Sequence, residues 1–168
     1  MTTLVADARY QILEGGVRLV RLEDEAGIGW LREYRSILRT AAADFLKRGK
    51  FDGDRDVVVD ELMELLSVGG AVWLVLDPEY RLLGWAAVRL RRAAWAKRLV
   101  AEVPGVYLYP KRTPRHVFRA LFDTMLAWAA AEGAEELAFT SRRPIRGVEA
   151  ITGAKVVGCV YARPIPKD

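Results

Sequence analysis

Cysteine and histidine are almost missing from this chain: one of each, Cys159 and His116, in 168 residues. A single cysteine excludes an internal disulfide and fits a reducing compartment. One cysteine and one histidine leave no basis for a Cys/His zinc site, and no metal is expected. No apolar run approaches the ~20 residues that span a bilayer, so no membrane contact is expected. The opening stretch "MTTLVADARYQILEGG" holds acids and no continuous apolar segment. No signal peptide is read there, and the expected location is cytoplasmic. Repeats, low-complexity tracts and Pro/Ser-rich linkers are also missing, which leaves one domain over residues 1–168.

What is present is apolar bulk and unevenly placed charge. Apolar residues make up 52% of the chain, with five Trp and five Phe, enough for a real core. The net charge is +4, but residues 1–80 carry −5 and residues 81–168 carry +9. The excess in the second half is mostly arginine. An anionic partner for that half explains the asymmetry, and so does a solvated surface or attraction between the halves.

Periodicity outlines the elements. Val17–Asp24 alternates apolar and charged residues, as a half-buried strand does. Residues 29–49 place Leu31, Tyr34, Ile37, Leu38, Ala41, Ala42 and Phe45 at helical spacing and end at Gly49. A shorter helix follows over 57–70. "AVWLVLD", the turn "PEYR" and "LLGWAAVRLRR" read as a hairpin. Residues 93–102 read as a connector with helical character, and 103–110 as a strand ending at Pro110. A long helix then buries Phe118, Leu121, Phe122, Met125, Leu126 and Ala129 and stops at Gly133. Residues 135–141 read as a strand, 143–153 as a short helix and 154–165 as a last strand. The strand-helix-strand crossover makes strands 103–109 and 136–141 parallel and right-handed in connection. The expected architecture is α/β: a mixed, mostly antiparallel sheet with helices on both faces.

This element order resembles the GCN5-related N-acetyltransferase (GNAT) fold. "VWLVLDPEYRLLGWAAVRL" is similar to its central hairpin, and "LAWAAAEGAEELAFTS" to its helix and fifth strand. "ITGAKVVGCVYARPI" resembles its closing strand, with Gly153-Ala154 in place of Gly-Phe. A narrower resemblance is to GNAT-like proteins of tailed bacteriophages, through the same hairpin, the connector "WAKRLVAEVPG" and the pair in "SRRP".

The resemblance implies a coenzyme A pyrophosphate loop of the form Gln/Arg-x-x-Gly-x-Gly/Ala. Its backbone N–H groups and the following helix start hold the anion. Here Arg112 matches the first position, Arg115 stands at the first glycine and Val117 at the Gly/Ala. Both side chains are expected to crowd the anion's approach. Thr113 is expected to cap the helix and Pro114 to begin it, removing one N–H donor. The charges point the other way. Lys111, Arg112, Arg115, His116 and Arg119 crowd a helix start, where exposed cations cost about 0.3–1 kcal/mol each against the dipole. A bound anion relieves that cost. Arg142, Arg143 and Arg146 follow the parallel strand and would complete a basic mouth at the sheet's C-terminal edge. Arg89, Arg91, Arg92, Lys97 and Arg98 would form a separate patch at the opposite edge.

A catalyst is harder to find. The family's acidic Tyr has no counterpart in 144–153, whose titratable residues are Arg146 and Glu149. Tyr107 and Tyr109 share one strand face and are read as core or cleft-lining. Cys159 and Tyr161 share a face of the last strand, and Cys159 has no basic partner to activate it. Two readings stay open. The favoured one is a GNAT-fold protein with a degenerate acetyl-CoA loop that works by binding, phage-encoded or virion-associated, with an acidic protein partner in an assembly. The alternative is an acetyl-CoA-dependent N-acetyltransferase with a divergent loop. Nucleic acid is not expected as a ligand, because the basic segments lack a recognition motif and interleaved aromatics.

Overall fold

The run "AVWLVL" has no alternation, because both of its faces are covered. In the computed structural model, which describes residues 9–92 and 97–139, it is the buried strand β3, Ala71–Leu76. Val72, Leu74 and Leu76 pack on one side with the first three helices. Ala71, Trp73 and Val75 pack on the other with the long fourth helix.

The sheet runs in sequence order. Strands β1 (Arg9–Ile12), β2 (Arg18–Glu23), β3, β4 (Leu82–Arg92) and β5 (Leu99–Leu108) are antiparallel neighbours, and β6 (Glu136–Phe139) pairs parallel to β5. Helices α1 (Asp24–Glu33), α2 (Arg35–Gly49) and α3 (Arg55–Ser67) lie between β2 and β3, and α4 (Arg115–Ala131) between β5 and β6. This is the mixed α/β sheet, mostly antiparallel, that the sequence predicts. Among the described residues no helix is long and apolar enough to cross a membrane.

Several expectations need correction. The single helix over 29–49 is two helices that meet at Tyr34 (φ −89°, ψ 8°). Both lay their apolar residues on the same layer, Ile28 and Leu31 from α1, then Leu38, Ala41 and Ala42 from α2. The hydrophobic period therefore runs on through the break. α1 also starts earlier, at Asp24, whose carboxylate accepts from the Ala26 N–H at 3.0 Å. Residues 99–102 are the start of β5, not helical connector; 93–96 lie outside the described residues. β1 had no alternating signal strong enough to read.

On α4 the buried stripe is Val117, Leu121, Phe122, Met125, Trp128 and Ala129, while Leu126 is exposed and Phe118 half-buried. Trp128 takes the place expected of Leu126. Its ring meets Trp73 edge-on at 5.8 Å, and its indole N–H donates to Glu23 at 2.6 Å. The expected helix 143–153 and strand 154–165 lie outside the described residues, as do Glu149, Cys159 and Tyr161.

Candidate active site

β5 decides where a ligand can enter. Ala87 of β4 faces Gly105, and Arg89 faces Glu102, so Val88 alone opposes Val103 and Pro104. That extra residue is a β-bulge, which bends and twists its strand. β6 pairs with Val100 to Val103 and goes no further among the described residues. Beyond the bulge, residues 104–108 keep β4 on one side and have no described strand on the other. Pro104 stands where this open side begins, a place where a missing N–H costs no ladder bond. Tyr109 donates to the Leu83 carbonyl at 2.8 Å. By the alternation of an antiparallel ladder, Tyr107 and Gly105 also direct their backbone groups at β4. Val106 and Leu108 direct theirs to the open side. The result is a strip of backbone N–H and C=O groups, without a partner strand among the described residues, leading to the start of α4.

The loop at the end of that strip is not built as the family pattern implies. Its one left-handed residue is Lys111 (φ 66°); Arg115 and Val117 are ordinary helical residues. Neither position needs glycine for its backbone. Val117 is completely buried against the sheet. It does not crowd the mouth, contrary to expectation. Arg115 is exposed, with its side chain free to move aside.

Thr113 does not cap the helix. Its hydroxyl reaches the carbonyls of Tyr109 (3.0 Å) and Leu83 (3.3 Å), tying the loop to β4 and β5. Pro114 occupies the cap position, with extended ψ of 147° and no side-chain cap bond. Its missing N–H therefore removes none of the first-turn donors. Val117 N–H turns back to Pro114 O at 3.1 Å, while Arg115 and His116 N–H have no acceptor among the described residues. Two amides at a helix start, beside exposed Lys111, Arg112, Arg115 and His116, can hold an anion. Arg119 leans toward Asp123, 4.0 Å away. Arg142, Arg143 and Arg146 lie outside the described residues.

Tyr107 and Tyr109 do share a face, the one under α2. Tyr107 is buried and its ring meets Tyr109 edge-on at 5.0 Å. Its hydroxyl donates to Asp44 Oδ2, a residue of α2 that the sequence reading passed over. The same oxygen accepts from Arg48 Nε at 2.6 Å. The Tyr107 hydroxyl, then the Arg48 guanidinium, hold the Asp44 carboxyl below the ordinary carboxylate range. Burial first, then the Asp44 hydrogen bond, push the Tyr107 phenol above its ordinary value. Burial and the nearby Asp44 charge raise Tyr109 as well. At neutral pH this is an ionised carboxylate held by a protonated phenol. Phe45 extends the apolar floor, edge-on to Trp85 at 5.3 Å and to Tyr107 at 6.2 Å. A lone acid in "RTAAADFL", just off the buried stripe, was the available signal.

A cleft of about 410 Å³ opens on the α4 side of the sheet, between the β3–β4 turn and Pro114. Its acids are already engaged. Asp77 accepts from the N–H groups of Glu79 and Arg81 at 3.0 and 2.8 Å and from Arg81 Nε at 2.6 Å. Glu79 holds the other end of Arg81 at 3.0 Å. That arrangement closes the turn and leaves Arg112 as the cleft's unpaired charge among the described residues.

Comparison with known proteins is informative through structure alone: no family model and no curated protein matches the chain. An aminoglycoside acetyltransferase from an uncultured soil metagenomic sample, solved with sisomicin, superposes with a TM-score of 0.65 at 12% identity, covering 89% of this chain and 97% of that one. AAC(6')-Iy, solved with the bisubstrate analogue CoA-S-monomethyl-acetylneamine, gives 0.63 at 15% identity, covering 90% and 99%. The chain has the GNAT fold. Glucosamine-6-phosphate N-acetyltransferase from Arabidopsis thaliana gives 0.65 at 6% identity, covering 89% and 99%. In terms of that fold, β3 and β4 are the central hairpin and the bulged β5 leads into the loop before α4.

Proposed function

We propose that this protein is an acetyl-CoA-dependent N-acetyltransferase with a divergent pyrophosphate loop. The observation that carries the reading is the side of β5, residues 104–108, that no described strand covers, leading to the amides of Arg115 and His116, which have no acceptor among the described residues. A pantetheine arm has amides that suit the backbone groups of Val106 and Leu108. A pyrophosphate suits the helix start, with Lys111 and Arg115 supplying charge in place of the close approach that glycines allow, while Arg112 turns to the Tyr109 ring. Thr113 holds this loop in place, and Val117 anchors the helix beneath it. Arg142, Arg143 and Arg146 follow in sequence from the strand parallel to β5 and are proposed as the second half of the basic mouth. When bound, acetyl-CoA supplies the activated acetyl group. On the other side of β5, Tyr107 and Tyr109 line the acceptor side, and Asp44 receives a hydrogen bond from the acceptor amine and orients it.

The binding-only reading, with its phage or virion assembly, rests on side chains at the two glycine positions and on the missing tyrosine in 144–153. Val117 lies in the core and Arg115 in solvent, which removes the first of these supports. Calorimetric titration with acetyl-CoA and with desulfo-CoA, at two salt concentrations, tests the proposal. Saturable binding of both, weakened but not abolished by salt, is expected. A folded protein that binds neither would return the fold to a surface role in an assembly.

A further inference from the structure

We infer that the acceptor carries an anionic group beside its amine and is not a polycation. The inference rests on the acetyltransferase reading and names its substrate class.

The charges around the Tyr107–Tyr109 pair are unequal. Asp44 uses Oδ2 for both the Tyr107 hydroxyl and Arg48, and its Oδ1 has no partner among the described residues. One carboxylate oxygen is open to one ammonium. Against it stand two guanidiniums. Arg48 gives Nε–H to Asp44, and its half-exposed head has no second carboxylate among the described residues. Arg112 lies over the Tyr109 ring, 5.2 Å from its centroid, with no acid beside it among the described residues. Tyr109 therefore sits beside the Asp44–Arg48 ion pair and a further cation, Arg112, that no described acid offsets.

A ligand with several ammonium groups meets repulsion here. Like charges a few ångströms apart repel, and more strongly at a protein surface than in bulk water. A ligand with one ammonium and one anion satisfies both sides. Its ammonium meets Asp44 Oδ1, and its anion meets the N–H forks of Arg48 and Arg112, whose geometry suits carboxylate or phosphate. An apolar or ring-shaped body would lie on the tyrosines.

The test is acetyl transfer, read as free-thiol release, with paired acceptors. Glucosamine 6-phosphate is set against glucosamine, phenylalanine against its methyl ester, and neamine is added as a polycation. At least one anion-bearing acceptor should exceed its uncharged partner by about tenfold or more in kcat/KM, the worth of one charge-assisted hydrogen bond. Which pair separates tells phosphate from carboxylate. Arg48→Gln should shrink the ratio within the separating pair toward one, chiefly through KM of the anion-bearing member. Neamine as the best acceptor, or no gap in either pair, overturns the inference while leaving the enzyme reading intact. If acetyl-CoA does not bind, the enzyme reading fails separately. Calorimetric titration of the same pairs without acetyl-CoA then decides. Preferred binding of an anion-bearing member supports the inference, and no preference or no binding overturns it.

Discussion

Replacing Val117 by glycine would restore the residue that the GNAT loop pattern asks for. If a bulky side chain obstructs the pyrophosphate, Val117→Gly should tighten acetyl-CoA binding. The structure demands the opposite outcome. Val117 is 0% exposed and packs with Leu121 and the sheet, pointing away from the mouth. Removing its side chain costs roughly 2–3 kcal/mol in lost burial and cavity formation. Glycine in a helix adds up to ~1 kcal/mol. A total near 3 kcal/mol corresponds to a fall in Tm of about 6–12 °C for a chain of this size. Thermal melting by circular dichroism measures the first quantity, and calorimetry with acetyl-CoA the second. Arg115→Gly is the companion: the residue is exposed, so Tm should change little, within about 1 kcal/mol, while acetyl-CoA binding weakens through loss of a charge. An unchanged Tm for Val117→Gly together with tighter acetyl-CoA binding would refute the assignment of Val117 to the core. Tighter binding by Arg115→Gly would refute the use of its charge.

Three further outcomes are expected. Tyr107→Phe should cost about 1 kcal/mol at neutral pH by removing the bond to Asp44. The pH profile carries the sign: the folded phenol titrates above its unfolded value of ~10, so its contribution is complete below that pH and is lost as pH rises through the folded value. Wild type should lose up to ~1.4 kcal/mol per pH unit above pH ~10 from this group, and the Phe variant should lack that slope in urea melts. Gly84→Ala should be among the most damaging single changes, at least about 3 kcal/mol, because a Cβ there collides with the Tyr107 carbonyl oxygen on the paired strand. A wild-type denaturation midpoint for that variant would contradict the β4–β5 register. Thr113→Val should cost about 1 kcal/mol and speed amide exchange across 110–116, since its hydroxyl ties the loop to Tyr109 and Leu83; unchanged exchange would show that the loop is held by other contacts.

Much of the architecture was legible because the relevant signals are local. The uninterrupted "AVWLVL", the turn residues of the β3–β4 hairpin and the long period of α4 each follow from neighbours in the chain, and the parallel pairing of β5 and β6 follows from a crossover rule. The break at Tyr34 was invisible because both helices serve one apolar layer. Leu126 and Trp128 exchanged roles because a long helix offers two adjacent stripes, and only the sheet selects between them.

The site divides in the same way. The sequence by itself determined that a basic, glycine-free loop joins β5 to an amphipathic helix, and that the cations would oppose the helix dipole unless an anion joined them. The tertiary structure alone decided what those residues mean. Val117 turns inward because the helix must bury one face on the sheet, and Pro114 falls at the cap because Thr113 is bonded to two carbonyls. Asp44 meets Tyr107 across 63 positions of chain, a contact that no local pattern encodes. Local propensity sets which elements form; the side-chain partners that make chemistry are brought together by packing, which sums over the whole sheet at once.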